Sequence, residues 1–284
     1  MMAKQKKQAP NRKIVKKISL YILLIAVTLF MIGPFLWLLS TALKSGSENI
    51  FQYPPKLLPE EPTLSNFSTV MEVFPFWRYL FNSAVVAVLT VVLNVLFCSL
   101  AAYPLARMNF KGKNIIFVLI IATMMIPFQL LMIPVYIISL KLGLQNTYLG
   151  MVLPHVTTAF GVFLMRQAFM TVPKSLDESA RMDGANSFQI WLRVLMPLVK
   201  PAMVTLTIFT FVSAWGDFLW PLIIVNDNDM YTLPLGLNML SGTFTSDWRL
   251  IAAGAIISMI PIITIFLLLQ RFFIGGAMKG AIKG

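Results

Sequence analysis

Runs of about twenty apolar residues recur along this chain, and at about 1.5 Å of rise per helical residue each can cross a bilayer core roughly 30 Å thick. Six such runs cover residues 20–41, 83–106, 114–140, 147–170, 201–225 and 250–274. The first three contain no Asp, Glu, Lys or Arg, as expected where a bare charge costs several kcal/mol. Charged residues make up only 12% of the whole chain, against about a quarter in soluble domains. The fold expected is all-α, a polytopic membrane protein with six transmembrane helices. The six-helix domain spans 20–274, between an N-terminal segment (1–19) and a C-terminal tail (275–284). Neither an internal repeat nor a soluble catalytic domain is visible.

A net charge of +12 would suggest nucleic acid if the basic residues shared one soluble face, but they lie between and beside the apolar runs, so no nucleic-acid partner is expected. Topology accounts for them. With the N-terminus inside, 18 of the 23 Lys and Arg fall on the inner face, and Lys44, Lys56, Arg78, Lys141 and Arg249 on the outer. Positive charge is retained in the cytoplasm, so both termini are expected there and the protein in the cytoplasmic membrane. The first run exceeds the 7–15 residues of a signal-peptide core and reads as a retained span.

Cys98 is the single cysteine, which leaves no disulfide framework or thiolate metal site, and it reads as small packing inside the second run. Pro34, Pro127, Pro134, Pro154 and Pro221 interrupt the runs. Each removes a helix hydrogen bond, serving either a bending bundle or ordinary kink packing. Segment 44–82, rich in proline and then in aromatics from Phe74 to Tyr79, is expected to fold over the outer mouth. Segment 226–249, with Asp227, Asp229, Asp247, Tyr231, Phe244 and Trp248, reads either as a partner or ligand surface or as a solvated cap.

The largest inner insertion, 173–198, has a legible local grammar. Ser175 and Glu178 are spaced as a capping box, which predicts a short helix over 176–182 with Asp177 and Arg181 paired at i, i+4. Gly184 is placed to stop it, and Asn186 or Ser187 to cap a second helix running through Ile190, Trp191 and Leu195 to a break at Pro197 and Pro201. The expected product is a helix–turn–helix knob with little apolar surface of its own, either a docking element or a folded connector.

Glu178-Ser179-Ala180, Asp183-Gly184-Ala185, Ile190 and Pro197-Leu198 resemble the EAA loop of ABC import permeases. Ser179 replaces the usual first alanine of that motif and Met196 a leucine. The segments 146–150, 215–221, 231–236 and 275–284 are similar to the maltose-type carbohydrate importers, especially the second of their two permeases. The resemblance implies a type I ABC importer permease that pairs with a second homologous permease, two cytoplasmic ATP-binding subunits and an extracytoplasmic solute-binding protein. Its expected cargo is a sugar, an oligosaccharide or a glycerol-phosphate-like solute. Glu178, Ala180, Asp183, Gly184, Ala185 and Pro197 would then form the ATPase-coupling surface.

No G-x-x-x-x-G-K-[ST] loop occurs, so ATP hydrolysis is assigned to partner subunits, the chain is expected to be no enzyme, and no cofactor or metal is expected. For the substrate pathway the sequence offers Asn94, Gln129 and Asp217. Asn94 and Gln129 read either as sugar ligands or as interhelical hydrogen-bond ties. Asp217, the one carboxylate within a span, reads as functional or as an interfacial anchor between Trp215 and Trp220. His155 is expected to be a packing residue and Arg166 to snorkel to the surface. The competing class is an ion-coupled secondary transporter, disfavoured because spans one, two and three lack acidic and basic residues and span six carries only Arg271 near its inner end.

Overall fold

A computed structural model describes residues 10–54, 56–240 and 247–281, with side chains described from 14 to 272 within those limits. The first nine residues, Phe244 and the last three residues of the tail lie outside it. In chain order the helices are α1 (Pro10–Leu43), α2 (Ser65–Val73), α3 (Phe76–Arg107), α4 (Lys113–Ala122), α5 (Phe128–Lys141), α6 (Tyr148–Val152) and α7 (Ala159–Thr171). They continue as α8 (Lys174–Met182), α9 (Ser187–Gln189), α10 (Met196–Leu198), α11 (Lys200–Trp215), α12 (Leu219–Ile224), α13 (Leu233–Asn238) and α14 (Trp248–Ala281). No strand occurs among the described residues.

Among the described residues three helices, α1, α3 and α14, are each long and apolar enough to cross a bilayer, and three bent pairs are so when taken together, giving up to six crossings. The uninterrupted spans expected over 114–140, 147–170 and 201–225 are therefore broken. Lys113–Met125 meets α5 at 101°, because Ile126 precedes Pro127 and is held extended. Tyr148–His155 meets α7 at 53°, and Ser187–Leu198 meets α11 at 83°. Residues 216–218 separate α11 from α12.

The chain forms two compact units. In the first, which contains α1, helix-end carbonyls left without intrahelical donors are met by side chains. The Asn66 amide donates to the carbonyls of Ala42 and Lys44, at 2.8 Å each. Buried Lys44 donates to the Lys56 carbonyl at 2.8 Å and lies 3.6 Å from Glu48.

The second unit holds α3 to α13. Val86, Thr90, Asn94, Cys98 and Ala102, spaced four apart along one face of α3, are all buried, and α7 and α11 pack against that helix. Apolar clusters form at both ends of the stripe, one around Val86, Met151 and Trp220 and the other around Cys98, Phe169, Ile190 and Leu206. Between them the stripe is polar, at Thr90 and Asn94. At Gly161 a Cβ would lie 2.6 Å from Cys98 Sγ, so glycine is what lets α7 approach α3 so closely.

Segment 226–233 folds onto the start of α3. The Asn82 amide donates to the carbonyls of Asp229 and Tyr231 at 2.8 and 2.9 Å, and the Leu233 N–H donates to Ser83 Oγ at 2.7 Å.

Candidate functional site

The 173–198 insertion forms the expected two-helix knob, through partly different contacts. Helix α8 starts one residue after Pro173 with no side-chain cap. Ser175 therefore sits inside the first turn, and the Ser175–Glu178 capping box does not form. The reciprocal box belongs to Asn186 and Gln189, at 2.9 Å in each direction. Gly184 has φ +83°, and two hydrogen bonds close α8. The Gly184 N–H reaches the Arg181 carbonyl at 3.0 Å, and the Ala185 N–H reaches the Ala180 carbonyl at 2.9 Å, the two bonds of a Schellman stop.

Asp177 does not pair with Arg181. Its Oδ2 lies 3.4 Å from Arg107 Nε at the end of α3, with both side chains largely enclosed, where an ion pair is screened less than a solvent-exposed i, i+4 pair. Arg107 also donates to the Val172 carbonyl at 2.7 Å. Nor is the knob short of apolar surface. Ile190, Trp191 and Leu195, on a π-helical turn between α9 and α10, are buried with Met165 and Phe169, and Ala180 and Ala185 pack against the same cluster. Glu178, Asp183, Gly184 and Pro197 stay exposed, as does Met182 at 89%. The knob thus has one flank in the core and a free face that carries Glu178, Arg181, Met182 and Asp183.

The breaks around 126–127, 156–158 and 216–218 converge on two adjoining cavities. One, of about 240 Å³, is lined by Thr90, His155, Thr158, Thr210, Ser213 and Asp217, with Phe160 and Phe209 as apolar walls. The other, of about 510 Å³, shares His155, Thr158, Ser213 and Asp217 and adds Gln129. Non-helical backbone inside a membrane bundle persists where it lines a cavity, and residues 156–158 and 216–218 do so here through Thr157, Thr158 and Asp217. Asp217 Oδ1 accepts the Trp220 N–H at 3.3 Å, and its Oδ2 lies 3.5 Å from His155 Nε2.

Gln129 and Asp217 thus share a cavity, whereas Asn94 sits behind the wall with no exposed surface. The Asn94 amide donates to the His155 carbonyl at 2.8 Å, and its oxygen accepts from Thr210 Oγ1 at 3.3 Å, joining α3, the 155–158 break and α11. Trp215 and Trp220 are buried rather than interfacial, their indole N–H groups donating to the Ser258 and Gly150 carbonyls at 3.0 Å. This is the need of any buried indole. Arg166 does not reach outward. It donates to the Leu105 carbonyl at 3.1 Å, with its guanidinium 3.9 Å from the centre of the Phe117 ring. His155 faces the cavities and packs against Phe128 with the rings tilted by 56°, 5.0 Å between centroids. Thr158, Thr210 and Ser213 were not singled out from the sequence, and a Thr-Thr pair three residues after Pro154 inside an apolar run was the available signal for the first.

Residues 94–276 match the family described as the inner membrane component of binding-protein-dependent transport systems. The arabinooligosaccharides transport system permease protein AraQ of Halalkalibacterium halodurans is 37% identical over 80% of this chain and 81% of its own. Its namesake in Bacillus subtilis is 35% identical over 95% of this chain and 97% of its own. A chain from the crystal structure of a bacterial ABC transporter involved in the import of the acidic polysaccharide alginate superposes with a TM-score of 0.80 at 26% identity, covering 94% of this chain and 99% of that one. This chain belongs to the family of binding-protein-dependent transport system inner membrane components and is a multi-pass permease subunit of an ABC importer.

Proposed function

We propose that this permease carries a carbohydrate across the cytoplasmic membrane and takes its driving force from ATPase subunits that grip the α8–Gly184 knob. The observation that carries the reading is the knob's two-sidedness. Glu178, Met182 and Asp183 face outward, free of the bundle, while Asp177, Ile190, Trp191 and Leu195 tie the same segment inward. The knob also lies in sequence between α7 and α11. Phe160 of α7 and Phe209 and Ser213 of α11 line the smaller cavity. Displacing the knob would shift both walls together and exchange one packing of the bundle for another, a population shift driven from outside the membrane.

The rest of the assembly follows the family pattern. A second homologous permease completes the pathway, two ATP-binding subunits hold the knobs, and an extracytoplasmic solute-binding protein delivers the cargo. Both termini and the knob face the cytoplasm, in keeping with the distribution of Lys and Arg. Glu178, Asp183, Gly184 and the outward side of Pro197 form the docking face, with Ala180 and Ala185 seating it on the bundle. Gln129 and Asp217 line the path, and Asn94 holds its wall together. The AraQ relatives are named for arabinooligosaccharides and the matching transporter structure for the acidic polysaccharide alginate, and a polar cavity with aromatic walls suits a sugar of either kind.

The test is uptake by the assembled importer in vesicles. Transport that persists with a proton uncoupler and stops on ATP depletion is expected, and the reverse pattern would restore the ion-coupled carrier.

A further inference from the structure

We infer that the cavity around Asp217 selects uncharged polyhydroxyl cargo against anionic sugars and sugar phosphates. The inference rests on the reading that this cavity lines the cargo path. Its basis is the charge of the lining, which decides between cargo classes that one polar fold could otherwise serve equally.

Among the described residues that line the two cavities there is no Lys or Arg, and Asp217 is the one carboxylate. His155 Nε2, 3.5 Å from it, is the nearest group able to carry positive charge. With a neutral imidazole the pair carries one negative charge, and with a protonated imidazole it carries none. In neither state does the lining present the net positive charge, or the fork of N–H donors, by which carboxylates and phosphates are normally held. With the imidazole neutral, a second negative charge about 6 Å from Asp217, at an effective dielectric constant of about 20, would be disfavoured on the order of a hundredfold in occupancy.

A hydroxyl-bearing solute meets complementary groups instead. One N–H, that of Trp220, donates to Oδ1, and Oδ2 has only the 3.5 Å approach of His155, so the carboxylate retains acceptor positions for sugar O–H donors. The Ser213 hydroxyl can both donate and accept around it. Thr210, which gives its proton to Asn94, keeps acceptor positions, and Thr158, which accepts from the Gly161 N–H and the Asn94 amide, keeps its proton. Phe160 and Phe209, edge to face at 5.5 Å, supply apolar walls for the C–H faces of a pyranose or furanose ring. The carboxylate is also held in place, because the hydrogen bond that engages Oδ1 starts α12. Asp217 is thereby assigned as the residue that sets cargo charge.

The potential at this position can be read without knowing the cargo. Ser213→Cys is made in the assembled importer, with Ala214→Cys, which lines the same cavity, as an independent second site. The unsubstituted chain, whose Cys98 is buried, gives the background. Three methanethiosulfonate reagents of similar reach, bearing a quaternary ammonium, no charge or a sulfonate, are compared with each rate divided by that for a free thiol. The ammonium reagent is expected to outpace the sulfonate at least tenfold, with the ratio falling to within about threefold of unity on adding Asp217→Asn. A sulfonate as fast as the ammonium at both sites would overturn the inference, as would a ratio unmoved by Asp217→Asn or cysteines closed to all three reagents in every nucleotide state. These rates need neither cargo nor hydrolysis. Loss of ATP-driven uptake would therefore count against the importer reading, while a reversed reagent ratio would count against the charge selection alone.

Discussion

Arg107, the last residue of α3, and Asp177, in the first turn of α8, form an enclosed ion pair of 3.4 Å that joins the knob to the helix whose buried face runs between the two cavity-facing arms. Removing one partner of such a pair leaves a charge without compensation, at a cost on the order of 3 kcal/mol. Asp177→Ala and Arg107→Ala are each expected to lower the melting temperature of the purified complex and to reduce uptake about tenfold, while nucleotide hydrolysis persists. A ratio of uptake to hydrolysis equal to that of the unsubstituted protein would deny the pair any part in transmission.

Gly184 has open space around a hypothetical Cβ but a φ of +83°, so any penalty there comes from the backbone and not from a clash. A β-branched residue in that region costs about 1–3 kcal/mol, whereas asparagine visits it readily. Gly184→Val is expected to insert normally and lose most uptake, and Gly184→Asn to keep at least half of it. Equal activity in the two variants would show that the turn's handedness is irrelevant to coupling.

A methyl group at Gly161 would lie 2.6 Å from Cys98 Sγ and 2.9 Å from Thr158 Oγ1. Overpacking of this kind costs about 1–3 kcal/mol. Gly161→Ala is expected to lower the melting temperature in detergent, with part of the loss recovered on adding Cys98→Ala, which removes the sulfur but not the clash with Thr158. No recovery in the double variant would place the strain elsewhere.

Trp220 is fully buried and donates to the Gly150 carbonyl at 3.0 Å. Trp220→Phe fills most of the same space but orphans that acceptor, for about 1–3 kcal/mol. A fall in melting temperature with unchanged membrane insertion is expected, and a melting curve identical to that of the parent would mean that the bond contributes nothing.

The apolar runs were legible because a bilayer forces every span to satisfy its own backbone, and α1, α3 and α14 cover the runs read for them. The turn at Gly184 and the cap at Asn186 were legible for a related reason, since both use local backbone chemistry. Long-range partners were not. Nothing local says that Asp177 reaches Arg107, far upstream in the chain, instead of Arg181 one turn away. Trp215 and Trp220 carry the composition of an interfacial belt, yet they are buried because Gly150 and Ser258 offer carbonyls inside the bundle. The same blindness hid His155, which read as packing until the breaks at 156–158 and 216–218 brought it against Asp217.

If ATPase subunits grip the knob, Met182, exposed at its tip, must lie against one of them in the working complex. A short thiol cross-linker applied to Met182→Cys in the assembled importer, with Trp77→Cys at the far end of α3 as reference, measures this. Cross-linking of the Met182→Cys variant to a nucleotide-binding subunit, at a yield that changes when ATP is trapped, is the outcome expected. Cross-linking of that subunit to the Trp77→Cys variant instead, or to neither, would contradict the proposed docking.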